Sequence, residues 1–251
     1  MNLSQTIRDY AEIASGFIAR FRVLVVIVVA FLVLAFGSWL VFSTVQSSKE
    51  KEVSRTVNRL SIELINLAQN SESSLEAQDR IAAIYAELEK TGRANLRTQN
   101  GLRALFLSAH GEMQTGQFAK AREKYLLVHQ KNPGLFQFGA GRHYLAANAL
   151  YYAALATEEE GQIDKAIELL RKFERSYPTH WLLGEVQLSI ARNLAAGGKM
   201  DQAVALFDKM LADKNLEPYH ARVSDQKKIL MLRGVLPKQP LLQSPPKFLG
   251  N

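Results

Sequence analysis

The sequence predicts an all-α protein: a single N-terminal transmembrane helix, then an α-solenoid of helix pairs closed by a C-terminal capping helix. Three observations carry this. A long uncharged apolar run lies near the N-terminus. The stretch after it contains no proline before Pro133 and little strand-like alternation. One pattern of glycine, alanine and large apolar residues recurs at fixed offsets.

The apolar run is VLVVIVVAFLVLAFGSWLVFSTV, Val23 to Val45. As a helix it is roughly 34 Å long, enough to cross a hydrocarbon core with some tilt. Arg20 and Arg22 flank its start, and Trp39 and Phe42 stand near its far end, as in a basic flank and an aromatic belt. It exceeds a signal-peptide core and lacks an A-x-A cleavage site, so an uncleaved anchor is expected. Arg8, Arg20 and Arg22 precede it, while Lys49, Lys51, Arg55 and Arg59 follow, so the charge count is nearly balanced. The adjoining arginines, and the Glu50 and Glu52 that dilute the later lysines, favour residues 1–22 inside and the C-terminal domain outside. The expected location is the bacterial inner membrane, with a periplasmic domain.

With 251 residues, the chain has room for an anchor and one sizeable domain. The net charge of +7 suits anionic headgroups or acidic proteins, but the basic residues alternate with acidic ones and form no nucleic-acid stripe. Zero cysteines exclude disulfides, thiolate nucleophiles and Cys-ligated metals. His110, His129, His143, His180 and His220 do not pair at metal-ligand spacing, and no phosphate-binding loop or nucleophile motif occurs. Glu158, Glu159 and Glu160 are adjacent and so do not face one another on a helix. No enzyme activity, metal or cofactor is expected.

Residues 46–233 read as helices. The breaks fall at Asn70 to Ser74, Thr91 to Arg93, Thr115 to Gln117, Asn132 to Gly134, Glu160 to Gln162, Tyr177 to Thr179 and Gly197 to Lys199. Ser73 or Ser74 and Asp201 are candidate N-caps. Val53, Val57, Leu60, Leu64 and Leu67 form a short four–three apolar seam. It buries a face in its own domain or, on a second reading, joins two copies as a homodimer. Tyr219 to Arg233 reads as a closing helix. Residues 234–251 hold Pro237, Pro240, Pro245 and Pro246, four of the chain's seven prolines, and read as an extended, disordered tail.

The recurring pattern occupies residues 102–133, 147–178 and 184–215. Its members are Gly116, Phe118, Ala121, Tyr125, Val128 and Pro133, then Gly161, Ile163, Ala166, Leu170, Phe173 and Pro178, then Gly198, Met200, Ala203, Phe207 and Met210, with Asn215 in place of proline. Glycine allows the positive φ of a tight turn, alanine allows close helix approach, the large residues fill the interface, and proline ends the pair. This pattern resembles the second half of the tetratricopeptide repeat. In the first half, the family's signature positions fall on Leu105, Ser108, Ala109 and Glu112, on Leu150, Ala153, Ala154 and Thr157, and on Gln187, Ile190, Ala191 and Leu194. Small residues recur there, but the family's aromatic does not. The Gly116–Gly161 interval is the longer of the two, which implies an insertion around Gly134 to Gly141.

The resemblance implies a protein-binding scaffold. It places Arg103, Phe106, His110, Asn148, Tyr151, Tyr152, Leu155, Leu188 and Arg192 along a groove, where aromatic rings would anchor an apolar segment of a partner. At least one of the adjacent Tyr151 and Tyr152 must be structural, because neighbours on a helix face apart. The positions some relatives use to clamp a C-terminal carboxylate are Phe106, His110, Tyr152, Glu185 and Ser189 here, so that clamp is absent. The anchor-plus-repeat architecture resembles the YfgM-type ancillary subunits of the bacterial Sec translocon, which implies an adaptor among translocon, chaperone or envelope-assembly proteins. A dimerising membrane sensor and a cytoplasm-facing tethered scaffold are the alternatives.

Overall fold

The computed structural model describes residues 3–70, 75–131 and 140–233, and these contain no strand. The helices are α1 (Leu3–Asn70), α2 (Leu75–Ala94), α3 (Gln99–Gln114), α4 (Phe118–Lys131), α5 (Ala140–Glu159), α6 (Ile163–Ser176), α7 (Leu183–Ala196), α8 (Met200–Ala212) and α9 (His220–Arg233). A 3-10 turn spans Lys214–Tyr219. The chain divides into two compact units, 1–51 and 52–251.

In the first unit, α1 continues through residues 45 and 46 without a break. Phe31, Leu32, Val33, Leu34, Phe36, Trp39 and Phe42 are exposed. Among the described residues, the stretch Ala30–Gln69 is long and apolar enough, by length and composition, to contain a membrane span. The side chains of residues 1–27, Arg20 and Arg22 included, lie outside the described set.

In the second unit the helices alternate direction. Arg59 pairs with Glu87 and Glu63 with Arg80 across α1 and α2, and Lys124 meets Glu112 across α4 and α3. His129 meets the Ala146 carbonyl across α4 and α5, and Lys199, in the turn after α7, pairs with Asp164 in the first turn of α6. The connections 95–98 and 177–182 therefore lie at the end where the chain enters this unit, at Glu52. The glycine turns lie at the other end.

The three glycine turns repeat atom for atom. Gly116, Gly161 and Gly198 have φ of +74°, +75° and +76°. Each closes a Schellman motif. The glycine N–H donates to the carbonyl three residues back, and the next N–H donates to the carbonyl five back: Gln117 to Glu112 at 2.8 Å, Gln162 to Thr157 at 3.1 Å, Lys199 to Leu194 at 2.8 Å. In the first turn of the following helix the alanine N–H donates back to the turn: Ala121, Ala166 and Ala203 donate to the carbonyls of Gln117, Gln162 and Lys199. These alanines, together with Tyr125, Leu170, Phe207, Val128, Phe173 and Met210, are all fully buried.

Several details differ from the expected ones. Val53, Val57 and Leu60 are buried within the same chain, against Ile84, Leu88, Ala104 and Leu107, with Leu64, Leu67 and Tyr85 at the margin. The seam's buried face is thus occupied by α2 and α3, which removes it as a dimer interface. The break at Thr91 to Arg93 does not occur. α2 runs on to Ala94, and Gly92 serves close packing instead, since a Cβ there would meet the Leu105 backbone nitrogen at 2.7 Å. Asp201 lies in the first turn of α8, not at its cap, because the Schellman turn already commits Lys199 to that position. α3 has a side-chain cap that the residue pattern did not reveal: Thr98 accepts from the Gly101 N–H at 2.9 Å. α9 starts at His220, one residue beyond the expected Tyr219. Ser73, Ser74, Pro133, the break at Asn132 to Gly134, most of the expected insertion and the tail 234–251 lie outside the described residues.

Candidate partner-binding site

The nine residues assigned to a groove come from α3, α5 and α7, and eight of them are buried. Phe106, His110, Asn148, Tyr151, Tyr152, Leu155, Leu188 and Arg192 belong to the interior, and Arg103 alone is half-buried. The open aromatic groove is replaced by a packed seam between helix pairs. The physical reason is legible in α5, where every residue from Leu145 to Glu158 is buried. A helix that is apolar all round is enclosed on all sides, and its run of alanines lets neighbours approach every face.

The rings form one cluster. Phe106 meets Tyr125 and Tyr152 edge-on, at 5.1 and 5.5 Å between centroids, while Tyr125 and Tyr152 stack at 5.5 Å. The adjacent tyrosines meet edge-on at 5.7 Å; Tyr152 joins this cluster, and Tyr151 extends it to Phe173 at 6.4 Å. Burial pushes the Tyr151 phenol up to about 12, despite a hydrogen bond to Ser189, and raises Tyr125 and Tyr152 as well. These groups remain neutral and serve packing. His110 lies edge-on to Tyr152 at 5.9 Å, and burial lowers its pKa to about 4. Among the described residues, neither its ring nitrogens nor the Asn148 amide atoms find a hydrogen-bond partner.

Two buried ionic clusters escaped the residue pattern. Lys124 Nζ donates to Glu89 at 2.6 Å, Glu112 at 2.7 Å and Ser108 at 3.0 Å. It occupies the position that Leu169 and Leu206 fill in the other copies, a departure that could have flagged it. Arg192 binds Glu158, which also accepts from Asn193 Nδ2 at 2.9 Å. Both clusters satisfy their charges internally and tie neighbouring helices. Arg103 donates to Asn58 at 3.3 Å and joins α3 to α1. No group of histidines and carboxylates among the described residues is arranged to hold a metal.

The surface carries one ring cluster that sequence reading also missed. His180 contacts Tyr144, Phe173 and Trp181 at 5.3, 5.4 and 5.7 Å between centroids. Tyr177 packs on Phe173 at 5.2 Å and meets His129 at 6.3 Å. Trp181 is 62% exposed and Tyr144 46%. The position of Trp181 is set by its backbone: its carbonyl accepts from the Tyr219 hydroxyl at 3.3 Å, and the next N–H donates to His180 Nδ1 at 3.2 Å. Tyr144 is far in sequence from the Tyr177 to Trp181 segment, so only the fold brings it to His180.

Residues 148–180 match the family model of the tetratricopeptide repeat. The match begins within α5, covers α6 and ends at His180, which is the middle helix pair. No curated protein and no solved structure matches the chain. The described residues are therefore helical throughout, apart from turns, and one helix pair is similar to the tetratricopeptide repeat, an element that in general binds other proteins.

Proposed function

We propose that this protein is a membrane-anchored adaptor that holds other proteins at the bacterial inner membrane, in secretion or envelope assembly, with its repeat domain on the periplasmic side. The observation that carries the scaffold reading is the triplicate helix pair, with identical glycine turns and buried alanines, one copy of which matches an interaction repeat. The exposed apolar face around Phe31 to Phe42 supports the anchor, and the Arg20 and Arg22 flank supports the orientation. The YfgM-type translocon subunits, which the architecture resembles, supply the class of partner.

With the first helices of each pair enclosed, partners meet the outer faces of α4, α6 and α8. These present Lys120, Glu123, Asp164, Lys165, Glu168 and Asp208 to solvent. Such a mixed-charge face suits exchangeable, polar contacts better than a permanent apolar interface. Photo-crosslinking residues placed at Glu123, Glu168 and Asp208 in native membranes test this reading. The expected result is one common set of envelope proteins captured from all three positions. Capture of cytoplasmic proteins alone would reverse the orientation, and capture of no protein from any position would remove the adaptor reading.

A further inference from the structure

We propose that the exposed ring cluster of Tyr144, His180 and Trp181, with the cations beside it, rests on the anionic headgroup layer of the membrane that holds the anchor. This extends the anchored reading above and rests on it for the membrane's proximity.

Four observations point to a lipid surface. The first is the chemistry of the cluster. Trp181 and Tyr144 are amphipathic rings, 62% and 46% exposed, of the kind that concentrate at headgroup depth. Tyr177 and Pro178 flank them, and hydrogen bonds at the Trp181 carbonyl and the Leu182 N–H fix the backbone that carries the exposed ring. The second is charge. Lys131, Lys172 and Arg175 are exposed at the ends of α4 and α6, and none takes part in an ion pair among the described residues. Unpaired cations beside interfacial rings complement anionic headgroups.

The third observation is place. The alternating helices put the connection 177–182 at the same end of the repeat unit as Glu52, where the chain comes in from the apolar unit. The glycine turns lie at the opposite end. The fourth is size. Three or four side chains form too small a patch for a stable protein interface, which needs roughly 20–30 residues a side. A tethered domain needs far less, because the anchor keeps the surface at high effective concentration.

The chain has two tryptophans, Trp39 and Trp181, one in each unit, so each position can be read separately. The full chain is reconstituted in phosphatidylcholine vesicles with or without phosphatidylglycerol, carrying nitroxide lipids labelled at the headgroup or deep in the acyl chain. In the Trp39→Phe chain, Trp181 emission should shift to shorter wavelength and be quenched by the headgroup label, several-fold more strongly with phosphatidylglycerol present. Replacing Lys131, Lys172 and Arg175 with glutamine should abolish that lipid dependence. In the Trp181→Phe chain, Trp39 should be quenched by the deep label whatever the headgroup. Quenched Trp39 with Trp181 open to aqueous iodide in both vesicles overturns the docking and leaves the anchor standing. Quenched Trp181 with unquenched Trp39 overturns the anchor and leaves the docking. Protection of Trp181 that grows with protein density and ignores lipid charge assigns the patch to a second copy and overturns the proposal. Protection that needs native membrane proteins assigns it to a protein partner, with the same consequence.

Discussion

Arg192 and Glu158 join α7 to α5 through two parallel hydrogen bonds, Nε to Oε1 and Nη2 to Oε2, each 3.0 Å. Both side chains are buried, so neither charge can turn to water when the other is lost. Arg192→Leu should destabilise the domain by about 3–5 kcal/mol, because it strands the carboxylate. Arg192→Leu combined with Glu158→Leu should recover most of that loss. Urea unfolding in a double-mutant cycle measures it, and additive losses would show that the pair is not coupled.

His110 gives the domain a pH dependence whose sign is fixed by burial. Its folded pKa is near 4, against an ordinary value of 6.5. Above 6.5 both folded and unfolded forms are neutral. As the pH falls from 6.5 towards 4, only the unfolded chain takes up the proton, so stability drops, by up to ~3 kcal/mol at the end of that window. His129 and His180 are shifted in the same direction by burial and add to the trend. His110→Gln should flatten the profile relative to the parent chain. Unfolding midpoints at stepped pH check this, and parallel profiles would place the dependence elsewhere.

Ala121, Ala166 and Ala203 mark where paired helices touch. Leucine at any of them should cost about 1–3 kcal/mol by overpacking, seen as a lower urea midpoint. Each position has zero exposure, so the added methyl groups have no outlet to solvent. Unchanged midpoints in all three variants would refute the shared register.

Phe106→Ala and Tyr152→Ala act on the core and not on a partner surface. Each should lower stability by about 3–5 kcal/mol, because both rings are buried within the same aromatic cluster. Denaturation curves measure the loss. A folded variant of unchanged stability that no longer captures its partner would restore the groove.

The contrast between these residues shows what was legible in the sequence. The turns were legible because a positive-φ glycine, a close-approach alanine and a large filling residue act within one helix hairpin, at fixed offsets such as Gly161, Ala166 and Leu170. The Val53 to Leu67 row announced a buried face but not what buries it, since an apolar stripe fits an α2 of its own chain as well as a second copy. The groove assignment failed at α5. A family register assumes one face open, and Ala146, Ala147, Ala149, Ala153, Ala154 and Ala156 close them all. Lys124 went unseen, and Arg192 was assigned to the groove and not to its pair with Glu158, because an isolated charge in a helix reads as solvated until its partners arrive from other helices. The Tyr144–His180–Trp181 cluster joins α5 to the α6–α7 connection and leaves no local spacing to read.

Each helix of the repeat unit packs chiefly on the helices next to it in sequence, and its hairpins close through connections as short as Asn95 to Thr98 or Glu160 to Gln162. Closing such loops costs little entropy, and neighbour-only contacts favour rapid folding. A nascent chain can therefore complete α2 and α3 while α8 is still inside the ribosome or a membrane pore, adding later helices one at a time onto a surface already formed. A pulling force applied at the C-terminal end would undo the same order in reverse, releasing α9 before it disturbs the rings around Phe106.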